Sequence, residues 1–123
     1  MALFKFDGNG DLKAVTRFPY AGAYQDVRRL MTKAEVDAIM NYLAHEVEVR
    51  PEILTTSWIP GADWTDSPLE RIYEVCGDEV LAAKMYGLFM WDVMQQHPEK
   101  WSFGHYELDG VPIKGMTYFR VTE

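Results

Sequence analysis

The sequence predicts an α+β fold: an antiparallel sheet built from N- and C-terminal hairpins, packed against two to three helices, with a buried central helix at about 79–97. Three observations carry that expectation. Val80 to Met94 reads VLAAKMYGLFMWDVM, with charge only at Lys84 and Asp92. At about 100° per residue, Lys84, Asp92 and Gln95 fall on one narrow stripe; Leu88 sits inside it, and apolar side chains cover the remaining circumference. A helix apolar almost all round is normally a buried one. Asp109-Gly110, between two alternating runs, is a strong signal for a two-residue hairpin turn. Asp7-Gly8-Asn9-Gly10-Asp11 marks another reversal near the start, where Gly and Asn supply the positive-φ positions of a tight turn. Hairpins at the two ends with helical patterns grouped between them give segregated layers, not alternating βαβ units.

Composition bounds the answer further. The 123 residues form one domain, 1–123, long enough for an ordinary core. Apolar residues make up 48 % and charged residues 25 %, which argues against disorder. The central apolar run is too short to span a bilayer, which needs roughly 20 residues, and charges interrupt it. A net charge of −7 argues against general binding to nucleic-acid phosphates; it suits a basic partner, or serves solubility alone. The single cysteine, Cys76, forms no internal disulfide, and MALFKFDGNG carries no apolar signal region, so a cytoplasmic location is expected.

Leu3 to Phe6 and Leu12 to Phe18 read as the strands of the first hairpin. Its turn imitates a calcium loop, with Asp7, Asn9 and Asp11 at positions one, three and five. The sixth position is Leu12 and the twelfth is Phe18, where that loop needs glycine and a carboxylate, so a plain turn is expected. Pro19 to Arg29 reads as a connector. Thr32-Lys33-Ala34-Glu35 has the form of a capping box, and Val36, Ile39, Met40 and Leu43 continue it as one apolar face fading near His45. Pro51 ends any helix there. Ile53 to Ile59, rich in β-branched residues, reads as a strand, and Pro60 to Asp66 as a loop. Ser67-Pro68-Leu69-Glu70 predicts the start of a short helix to about Cys76, with Gly77 as its stop. Asp78 then caps the central helix, Glu79 suits its first turn, and Pro98 closes it.

Counting outward from Asp109-Gly110 pairs Leu108 with Val111, Tyr106 with Ile113, His105 with Lys114, Phe103 with Met116 and Trp101 with Tyr118. Alternation divides this hairpin into two faces. Tyr106, Leu108, Val111, Ile113, Phe119 and Val121 form the face expected against the central helix. Trp101, Phe103, His105, Glu107, Lys114, Met116, Tyr118 and Arg120 form the other, the candidate binding surface. Aromatic residues with Arg and Met recur at the centres of interfaces and also line small-ligand pockets. The competing reading is that the chain's own loops, residues 19–31 or 58–66, cover this face. Trp58 and Trp64 bracket one such loop and are expected to pin it on the core, or to form a lid.

Catalytic and metal motifs are weak. His105 beside Glu107 has the makings of an acid–base pair, but same-face polar neighbours on a strand are ordinary surface contacts. Cys76 lies at a helix end rich in carbonyls, which does not activate a thiol, and no nucleophile signature links it to His45, His97 or His105. No histidines or cysteines stand at chelating spacing. Glu46, Glu48 and Glu52, like Asp63 and Asp66, fall at helix edges or in loops, where solvated carboxylates are common. Met31, Met40, Met85, Met90, Met94 and Met116 read as adaptable core filling. No catalytic residue, metal or cofactor is expected. By analogy of size and acidity alone, the expected function is binding another protein, as an inhibitor, immunity or phage-accessory module does. The alternative is a small-molecule binder or modest enzyme with a pocket near the C-terminal hairpin; a homodimer through the same face is a third reading.

Overall fold

The apolar helix forms where the sequence places it. In a computed structural model of the chain, residues 3–6, 12–50, 52–56, 64–104, 107–112 and 116–121 are described. The elements are β1 (Leu3–Phe6), β2 (Leu12–Ala14), α1 (Ala21–Arg29), α2 (Lys33–Glu48), β3 (Ile53–Thr55), α3 (Glu70–Cys76), α4 (Glu79–Gln96), β4 (Trp101–Gly104), β5 (Glu107–Leu108), β6 (Val111–Pro112) and β7 (Thr117–Arg120). The class is α+β, with four helices and a five-stranded sheet among the described residues. None of these helices is long and apolar enough to cross a membrane.

Local chemistry sets the helix ends. Gly77 closes α3 with φ 66°, and Asp78 Oδ2 accepts from Leu81 N–H at 3.0 Å to open α4. At α2, Thr32 Oγ1 accepts from Glu35 N–H and Glu35 Oε1 from Thr32 N–H, so both halves of the capping box are present. The helix then runs three residues beyond the expected end at His45, to Glu48. α3 starts at Glu70, later than expected: Glu70 reaches back to Asp66 N–H, and Ser67 Oγ accepts from Leu69 N–H in the turn before the helix. The expected connector at 19–29 contains a helix, α1, whose Tyr24 and Val27 are buried three residues apart on one face.

The sheet order is β2-β1-β4-β7-β3. It is mixed where an antiparallel sheet was expected: β1 runs parallel to β4, with Leu3 opposite Trp101 and Phe4 opposite Ser102. All the helices lie between these two strands in sequence, the long crossover that a parallel pair requires. β3 forms one edge beside β7, shorter than the expected 53–59; residues 57–59 lie outside the described residues, as does the turn Asp7 to Asp11.

The C-terminal hairpin is built in two parts. Asp109 and Gly110 take φ 54° and 79°, the left-handed pair of a tight hairpin turn, and Leu108 faces Val111 as expected. Further out, Trp101 faces Arg120 and Phe103 faces Tyr118, two residues away from the expected partners Tyr118 and Met116. The expected pairs Tyr106–Ile113 and His105–Lys114 lie outside the described residues. A shift of two is even, so the division into faces survives. The packing is reversed, however. Trp101 and Tyr118 are each 1 % exposed, and Phe103 meets Trp91 of α4 edge-to-face at 4.7 Å between ring centroids. Phe119 and Val121, expected against the helix, are only half-buried. Large aromatic rings remove more apolar area from water than Phe119 and Val121 can, so the aromatic face is the one that covers α4.

At the end of α4, His97 is buried and joins three elements. Its Nδ1 accepts from Glu99 N–H at 3.0 Å and from Trp101 Nε1–H at 3.3 Å, so the ring proton sits on Nε2, 3.1 Å from Glu48 Oε1 of α2. Met31, Met85, Met90 and Met94 are buried in the same core, with Met40 and Met116 packed at its margin.

Two predictions follow from this packing. Trp101→Ala removes a buried indole and a donor to His97, and should cost about 3–5 kcal/mol in urea unfolding; a loss below about 1 kcal/mol would contradict the burial. Burial pushes the phenols of Tyr86 and Tyr118 above their ordinary range, and burial together with the Asp92 carboxylate does so for Tyr24. A phenol raised in the folded chain favours folding fully below its unfolded value, about 10, and that contribution is lost as pH rises above it. Phenolate absorbance from these three should therefore appear together with loss of far-ultraviolet circular dichroism; their ionisation in a chain that keeps its dichroism would refute it.

Candidate functional site

The polar stripe of α4 is used differently at its two ends. Toward the C-terminus it fastens the segment from Val15 to α1. Asp92, 14 % exposed at its side chain, accepts from Tyr24 O–H at 2.7 Å and from Gln96 Nε2, with the Arg28 guanidinium 3.9 Å away. Gln95 Nε2 donates to the carbonyls of Val15 and Arg17, and Trp91 Nε1 donates to Arg17 O at 3.3 Å. Tyr24 stacks on Phe18 and meets Phe89 edge-to-face, so α1 is held by rings as well as by Asp92. Toward the N-terminus the stripe is uncovered: Val80 is 79 % exposed, and Leu81 and Lys84 also face solvent.

Tyr20 stands where the two halves meet. It is the N-cap of α1, with φ 52° and ψ 39° and no side-chain cap, while its carbonyl accepts from Tyr24 N–H. The left-handed region is a true outlier for a bulky residue and costs on the order of 1–3 kcal/mol. The ring is 64 % exposed, and Lys84 Nζ sits 4.5 Å from its centroid. Beneath it lies an open cleft of about 360 Å³ lined by Val15, Arg17, Pro19, Tyr20 and Trp91. Among the described residues, neither Arg17 nor Lys84 has a carboxylate within ion-pair distance. Arg28, Arg29, Lys33, Arg50, Arg71 and Arg120 each have one. Two rings, a proline and Arg17 thus line the open groove, with Lys84 against the Tyr20 ring and outside the lining.

The structure separates the residues expected to form a binding face. Trp101 and Tyr118 lie inside the fold, and Phe103 and Met116 are half-buried against the core. Arg120 reaches the surface and pairs with Glu99. Trp64 is half-buried against Tyr86, ring centroids 5.4 Å apart, a pinning contact. Trp58, His105 and Lys114 lie outside the described residues; Glu107 is described only as a strand residue opposite Pro112. Among the acidic groups, Glu46 pairs with Arg50 and Glu48 with His97. Burial and the Asp78 carboxylate push the Cys76 thiol up, away from the reactive thiolate.

Arg17, Tyr20, Val80 and Leu81 were not among the expected site residues. Val80 and Lys84 lie one helical turn apart on the stripe, so their shared exposure was readable; the conformation of Tyr20 was not. Comparison with known families, characterised proteins and solved structures gives no match to the chain.

Strain at Tyr20 is open to test. Tyr20→Gly relieves the left-handed backbone at the expense of unfolded-state entropy and the Lys84 contact. The folding free energy should then change by less than about 1 kcal/mol, or rise. A loss above about 2 kcal/mol in urea unfolding would show that the ring is needed for the fold.

Proposed function

We propose that the chain is a non-catalytic protein-binding module that works through the open half of the α4 stripe. The observation that supports this reading is Tyr20: an aromatic side chain held at a strained backbone position, largely exposed, beside exposed Val80, Leu81 and Lys84. Backbone strain at a surface residue marks functional positions, and exposed aromatic and aliphatic side chains grouped together mark contact surfaces. Small inhibitor, immunity and phage-accessory proteins share this size and acidity, and a cytoplasmic setting fits the single unpaired cysteine. A second reading, small-molecule binding, draws on the cleft, whose roughly 360 Å³ falls at the low end of ligand pockets.

Affinity capture from native lysate separates these readings, using wild type and a Tyr20→Ala/Val80→Asp variant with unchanged circular dichroism. The expected result is one stoichiometric protein held by wild type and lost from the variant. Self-association of the same chain, visible by light scattering at two concentrations, would identify the partner as a second copy. Equal capture by the variant, or no capture at all, overturns the assignment to this surface.

A further inference from the structure

We infer that His97 makes the fold acid-sensitive: the neutral ring latches the C-terminal ends of α2 and α4 to the start of β4, and a proton on Nδ1 breaks the latch. The local sequence builds the acceptor. Pro98 has no N–H, and the backbone at His97 is extended before it, with φ −63° and ψ 140°. Nδ1 therefore takes the next N–H along the chain, that of Glu99 at 3.0 Å, in the manner of an Asx turn. It also accepts from the Trp101 indole N–H at 3.3 Å. The imidazole is 8 % exposed and the bond to Trp101 is buried, so water does not replace the acceptor. A protonated Nδ1 is a donor set against two donors, and it leaves the indole N–H unpaired inside the fold.

One charge opposes this. Glu48 Oε1 of α2 lies 3.1 Å from Nε2 and favours an imidazolium, but its side chain is 67 % exposed, where an ion pair is worth little. Among the described residues, the other charged groups of this corner are engaged elsewhere. The Glu99 carboxylate pairs with Arg120 of β7, and the Lys100 ammonium lies 5.5 Å from the centroid of the Phe4 ring on β1. On α2, Glu46 pairs with Arg50, and His45 is exposed one turn before Glu48. Loss of the acceptor for two N–H groups outweighs the Glu48 contact, and the unfolded chain binds the proton in preference. The latch contributes in full at neutral pH, and its contribution is lost as pH falls through the range in which an unfolded histidine takes up its proton.

The test is urea unfolding of the full chain, wild type and His97→Asn, at about pH 7.5 and about pH 5.5, on either side of the value at which an unfolded histidine titrates. Asparagine Oδ1 stands in for Nδ1 as the acceptor in the turn and takes up no proton. His45 and His105 are common to both chains, so their contribution cancels. Between the two pH values the folding equilibrium constant of wild type should fall about tenfold more than that of His97→Asn, as one proton is taken up on unfolding. An equal fall in the two chains, or a smaller one in wild type, overturns the inference. Glu48→Gln should keep the wild-type fall; its disappearance there would place the pH dependence on the carboxylate and overturn it too. If His97→Asn does not fold, imidazole nitrogen NMR of folded wild type decides. A bare Nδ1 at both pH values supports the latch, and a proton on Nδ1 at either overturns it.

Discussion

The fold depends on keeping α4 dry. Nine of its 18 residues are buried, and they point in nearly every direction around the axis. A helix of this kind has no solvated face to lean on, so several elements must enclose it at once. The sheet supplies one side through Trp101, Phe103 and Tyr118, and α1, α2 and α3 supply the others. This requirement explains why the aromatic face of the C-terminal hairpin turned inward. Its contacts are specific: Phe103 meets Trp91 of α4 edge-to-face, and the Trp101 indole donates to His97 at the end of the helix.

Enclosure stops at the polar stripe, and the stripe decides where. Asp92 is a mostly buried carboxylate on the core helix. Left without partners it would be strongly destabilising, so Tyr24, Gln96 and Arg28 must be close by. Those partners come mainly from α1, which is thereby anchored over the C-terminal half of the stripe. Lys84 makes no such demand, because an ammonium on a flexible stem stays hydrated. The N-terminal half is consequently left open, and Val80 and Leu81 are exposed as a result of where the carboxylate lies.

The legibility of the chain follows the range of each interaction. Thr32–Glu35, Asp78 at α4 and Gly77 at α3 are fixed within one turn of helix, and all were readable. So was the partition of the last hairpin into two faces, since alternation survives any even shift in register. What was hidden is non-local. The parallel contact of β1 with β4 joins residues about a hundred positions apart. The choice of buried face depends on what α4 lacks, and α1 forms because Tyr24 meets Asp92 and Phe89, although Pro19 and Gly22 make the segment look like a connector. The candidate site was hidden for the same reason: Arg17 and Trp91, 74 positions apart, line one cleft only because the chain before α1 is fastened to α4.

Tyr20 links these two scales. The chain leaves β2, crosses α4 under the pull of Trp91 and Gln95 on the Arg17 carbonyl, and must turn at once into α1 so that Tyr24 can reach Asp92. Proline at position 19 restricts the approach, and the left-handed conformation at position 20 completes the turn. Glycine is the residue that meets such a backbone at least cost, and asparagine the next. A tyrosine there adds strain, and its ring is too exposed to return that cost through burial; Lys84 offsets only part of it. Geometry therefore requires a left-handed residue at this point but does not require an aromatic one. The ring is the part of the turn that the fold leaves unexplained, which is why the proposed contact surface is centred on it.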